Sequence, residues 1–104
     1  SELNQVDITY VRDGIPELVI ADPGLVSDQS ERLRLYEAKL KAYARYMSMD
    51  EFREEFENHD EAIITLVSVS PPSPEMKAIS IQLENPDGTT RLVPIEFRQQ
   101  DRVI

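Results

Sequence analysis

Val6, Ile8 and Tyr10 alternate with Asp7 and Thr9, and after Arg12-Asp13-Gly14 the alternation resumes with Leu18 and Ile20 beside Glu17 and Val19. A side-chain period of two marks a strand, and Asp-Gly between two such runs is hairpin turn chemistry, so the chain is expected to open with a β-hairpin. Pro16 has no N–H for a ladder, which puts it near the start of the second strand or facing an edge. Asp22-Pro23-Gly24 ends that strand. From about Ser30 the rhythm changes: Leu33, Tyr36, Leu40, Tyr43, Ala44 and Met47 fall three and four apart, which predicts a long amphipathic helix capped by Ser27 or Asp28 and packed on a sheet. Leu35, Ala38, Ala42, Tyr46 and Met49 line up roughly opposite, between Arg34, Lys41 and Arg45 on one side and Arg32 and Lys39 on the other.

Ser48-Met49-Asp50-Glu51 has the form of a capping box, predicting a second, short helix with Phe52 and Phe56 on its inner side and Asn58-His59-Asp60 at its end. Ala62 to Val69 is apolar and β-branched, as a central strand requires. Ser70-Pro71-Pro72-Ser73-Pro74 is a stiff connection. Residues 74–84 fit two patterns. Ser73 suits a helix cap with Pro74 in the first turn and Met76, Ile79 and Leu83 on one face, whereas the alternation of Ile79, Ile81 and Leu83 before the turn Asn85-Pro86-Asp87-Gly88 favours a strand. Val93, Ile95 and Phe97 then form the return strand. The expectation is a single α+β domain over residues 1–104. It has an antiparallel sheet with one long amphipathic helix and a short acidic helix on one face, in the order β-β-α-(α)-β-β-β.

Charge changes this picture at one place. The chain carries 11 basic and 20 acidic residues, a net charge of −9. Between Asp50 and Glu61, seven of twelve residues are acidic (Asp50, Glu51, Glu54, Glu55, Glu57, Asp60 and Glu61) and only Arg53 is basic. So local a bias steers a basic protein toward one patch and disfavours nucleic acid and anionic membranes, whose phosphates are held by Lys and Arg. The longest apolar run, Ala62 to Val67, is too short to span a bilayer, and the start lacks a basic region followed by an apolar stretch; a cytoplasmic location is expected.

Candidate chemistry is sparse. Without cysteine there are no disulfides, zinc-thiolate sites or cysteine nucleophiles. The acidic segment lacks the spacing of a calcium loop. His59, the only histidine, lacks the Cys-x-x-Cys half that a His-x-Glu zinc site needs. The three glycines, Gly14, Gly24 and Gly88, all sit in turn chemistry, leaving none for a phosphate cradle. Asp13, Glu17 and Asp22 around the hairpin read as solvated carboxylates, and Pro71-x-x-Pro74 as a rigid strand exit rather than a ligand for proline-reading domains. No catalytic residue, metal site or cofactor is expected.

Val6-Asp7-Ile8, Gly14, Leu18-Val19-Ile20 and Asp22, followed by Glu31, Leu33, Leu35, Lys39-Leu40 and Tyr43, resemble a family of small bacterial domains of unknown function over roughly residues 5–47. The resemblance implies a bacterial origin, a hairpin and a following helix, and no activity. The expected function is therefore that of a non-enzymatic interaction protein, a homo-oligomer that self-associates through Leu35, Ala38, Ala42, Tyr46 and Met49. Its alternative is an immunity-type inhibitor that covers the basic site of a toxin or nuclease with the carboxylates of Asp50 to Glu61. An uncharacterised enzyme is the third and least favoured.

Overall fold

A computed structural model describes residues 8–101; Val6 and Asp7, at the head of the expected first strand, lie outside them. Strands β1 (Ile8–Arg12) and β2 (Ile15–Asp22) form the expected hairpin, with Arg12 opposite Ile15 and Tyr10 opposite Glu17. Both residues of the two-residue turn have positive φ, 54° at Asp13 and 82° at Gly14, the conformation that matches the right-handed twist of the strands. Helix α1 (Gln29–Met47) follows, its free amides capped by the Asp28 carboxylate, which accepts from Ser30 and Glu31 N–H. Helix α2 (Asp50–Glu55) and a single 3-10 turn (His59–Glu61) lead to β3 (Ile63–Ser68).

The α+β class and the expected order hold. The sheet, however, is mixed rather than wholly antiparallel: its order is β1-β2-β3-β6, with β1–β2 antiparallel but β2–β3 and β3–β6 parallel. The cause is the connection. A long helix between two strands carries the chain back to the end of the sheet where the first began, so the next strand runs in the same direction. Residues 74–84 hold both predicted patterns in succession, helix α3 (Pro74–Ala78) capped by the Ser73 hydroxyl and then strand β4 (Ile81–Glu84). β4 pairs with β5 (Thr90–Val93) as a separate two-stranded ribbon, and β6 (Ile95–Gln99) joins the main sheet. The expected return strand through Val93, Ile95 and Phe97 is thus divided at Pro94, which cannot donate to either ladder while its carbonyl accepts from Ile64 N–H.

The core lies between α1 and one face of the sheet. Leu18, Ile20, Ile64 and Leu66 meet Tyr36, Leu40, Tyr43 and Met47, with Phe52, Met76 and Val93 closing the ends. Each large aliphatic buried here contributes about 1.5–3 kcal/mol relative to exposure. The buried Tyr43 hydroxyl donates to Val19 C=O at 2.6 Å, tying α1 to β2. The other anchor is Arg32. Its guanidinium donates to Asp22 at 2.8 Å and to the carbonyls of Ser70 and Pro71, both at 2.9 Å, locking the proline-rich connection against the end of β2. Pro71 is thereby a structural exit from β3, and Pro74 occupies the first turn of α3.

Candidate functional site

The acidic segment is built around its two phenylalanines. Phe52 is fully buried, and its ring packs edge-on to Tyr46 at 5.1 Å and tilted against Phe56 at 5.0 Å. These contacts pin α2 to α1 and turn Asp50, Glu51, Glu54, Glu55, Glu57, Asp60 and Glu61 outward; all seven are exposed. The capping box does not form, since the Ser48 hydroxyl donates to Ala44 C=O within α1 and Met49 precedes α2 with no side-chain cap. Arg53 instead donates to Ser48 C=O at 2.6 Å and approaches Asp50 at 3.4 Å, tying α2 to the end of α1. The helix stops at Glu55, short of Asn58-His59-Asp60, because Phe56 is extended (φ −116°, ψ 116°), so Glu55 and His59 share no helical face.

The field of these carboxylates reaches their neighbours. The Tyr46 hydroxyl is held above its ordinary pKa first by burial and then by Glu55 and Glu51. Burial lowers the Arg91 pKa against the opposing pull of Asp60 and Glu61, while one Arg91 nitrogen donates to Ala62 C=O at 2.6 Å. Of the basic residues of α1, Arg32 pairs with Asp22 and Arg34 with Glu31. Among the described residues, no three carboxylate or histidine side chains converge on a point that a metal ion would occupy.

One end of the sheet gathers further negative charge. Asn58 donates from Nδ2 to Gly14 C=O at 3.0 Å, so the hairpin tip with exposed Asp13 rests on the acidic segment. A methyl group added at Gly14 would come 3.1 Å from that same nitrogen. Glycine is needed there twice, for its positive φ and for this approach.

The back face of α1 is largely occupied by the chain itself. Ala42 is buried in the core, Tyr46 is half-buried on Phe52, and Leu35 and Ala38 are half-buried. Of the five residues only Met49 is freely exposed, at 44%.

A polar cluster lies on the helix-free face of the sheet around Glu17, a residue expected to be a solvated carboxylate. Glu17, only 5% exposed, accepts from the Thr65 hydroxyl at 2.6 Å, with Arg12 at 3.5 Å and Arg98 at 3.8 Å. Arg12 continues across the sheet to Glu96 at 2.9 Å. Asp22 is likewise paired rather than solvated. The available signal was a glutamate inside an otherwise apolar stretch; its partners Thr65 on β3 and Arg98 on β6 follow only from the parallel register. The chain matches no protein-family model, no curated protein and no solved structure, so the resemblance over residues 5–47 rests on its pattern alone.

Proposed function

We propose that the protein is a non-enzymatic interaction protein whose acidic surface, Asp50 to Glu61, docks a basic partner. The observation that carries this reading is the exposure of all seven carboxylates on a segment whose aromatic side is fixed in the core. A charged segment without such backing loses conformational entropy when it binds; a rigid one presents its charges already placed. In its sharper form the protein is an immunity-type inhibitor, its carboxylates standing where phosphates would bind on a toxin or nuclease.

Capture from host lysate, read by mass spectrometry at low and high salt, tests this. The chain is expected to retain a basic protein at low salt, to release it as the Debye length falls from about 10 Å toward 3 Å, and to lose it on E54K/E55K/E57K. Undiminished capture by the triple variant would refute the reading. Self-association through α1 is the second reading, favoured only by the exposure of Met49 past the end of α1 and the partial exposure of Leu35 and Ala38 along it. It predicts a dimer mass by light scattering that falls on L35E/Y46E, and a monomeric parent excludes it.

A further inference from the structure

We infer that the outer edge of β1 is a docking strand for an extended, basic segment of another protein, an inference that rests on the basic partner proposed above and says how it is held. Among the described residues, β1 is hydrogen-bonded on one side only, to β2. The direction of its free groups follows from the hairpin. In a two-residue hairpin the pair that closes the turn, here Arg12 and Ile15, exchanges both hydrogen bonds, and pairs alternate from there. Val11 opposite Pro16 is then a pair without ladder bonds, which accommodates a proline that has no N–H to give, and so is Thr9 opposite Leu18. Thr9 and Val11 therefore turn their N–H and C=O groups outward, two donors and two acceptors at the spacing an added strand meets.

The edge also lacks the usual guards. β1 contains no proline, glycine or lysine, and its one charge, Arg12, is drawn inward over the sheet to Glu96 and Glu17. Adjacent Tyr10 and Val11 are 54% and 59% exposed on opposite faces, so an added strand would cover apolar surface above and below the sheet. The opposite edge, β6, begins directly after Pro94, a residue with no N–H to offer an added strand.

Charge selects the occupant. The Arg12 end of β1 adjoins Asp13, and the bond from Asn58 to Gly14 brings Glu57, Asp60 and Glu61 to the same end of the sheet. A strand lying along β1 with lysine or arginine at that end gains both ladder hydrogen bonds and ion pairs. A second copy of the chain, also at −9, would bring like charge to the same place.

The probe is a short peptide of alternating Lys and Val, compared with the same peptide N-methylated at alternate residues so that one edge has no donors. The wild-type chain is expected to bind the first and to bind the second about ten-fold more weakly or worse, as loss of backbone hydrogen bonds requires. Val11→Pro removes an outward donor and no bond to β2, and should weaken the unmethylated peptide by a similar factor. Hydrogen exchange on the unaltered chain supplies an independent readout: the Thr9 and Val11 amides should exchange rapidly in the free protein and become protected when the peptide is added. If E54K/E55K/E57K weakens the peptide while N-methylation and amide protection show no effect, the docking strand is refuted and the acidic surface stands. Equal binding of an alternating Glu and Val peptide would refute the basic partner itself, at the acidic surface as well as at β1. A dimer mass for the free chain that Val11→Pro abolishes would give the edge to a second copy and overturn the proposal.

Discussion

Tyr36 packs its ring against Phe97 at 6.4 Å while its hydroxyl, buried in the core, meets no hydrogen-bond partner among the described residues. Burial raises its pKa to about 12. A buried hydroxyl without a partner forfeits its hydration, so Tyr36→Phe is expected to raise stability by about 1 kcal/mol, read as a higher urea midpoint at unchanged slope. The same residue fixes a pH dependence. Its folded pKa lies above the unfolded value of about 10, so its contribution is complete below pH about 10 and is lost as the pH climbs toward 12. Tyr36→Phe should flatten that part of the stability profile. Arg32 is the opposite case, with each donor group used. Arg32→Met leaves the Asp22 carboxylate and two carbonyls without their donors, and denaturant titration should show a loss of about 3 kcal/mol.

At the scale of elements, the first hairpin depends on its turn. Gly14→Ala forces a side chain into positive φ and against Asn58, so a loss of about 1–2 kcal/mol is expected in thermal unfolding. Elements whose signal is local were legible in the sequence. The spacing of Tyr36, Leu40, Tyr43 and Met47 placed α1 on the sheet, Asp28 began it, and Asp13-Gly14 marked the turn. What was not legible depends on distant partners. Nothing within Ile63 to Ser68 tells whether that strand runs with or against β2. Val93 and Ile95 continue a single alternation although Pro94 sends them into different sheets. Ser48 had the chemistry to cap α2 but bonds to the preceding turn of α1 instead. The candidate surface divides in the same way. Exposure of the acidic block follows from its charge together with Phe52, whereas the burial of Ala42 and the pairing of Glu17 with Thr65 follow only from the assembled fold.

For the whole molecule, a net charge of −9 disfavours indiscriminate self-association, and much of that charge is concentrated in one segment backed by the core. The hairpin tip, the 3-10 turn and the starts of β2 and β3 share one end of the sheet, so Asp13 adds to the negative charge of the acidic segment at that end. If this surface recognises a basic partner through charges held in place, the salt dependence of binding to the basic protein that the chain retains from lysate, measured for the wild type and for E54K/E55K/E57K, reveals it. Wild-type affinity is expected to fall steeply from low to high salt, and the triple variant to bind at least about ten-fold more weakly at low salt with a flattened salt dependence. Equal affinities with equal slopes for the two proteins would contradict it.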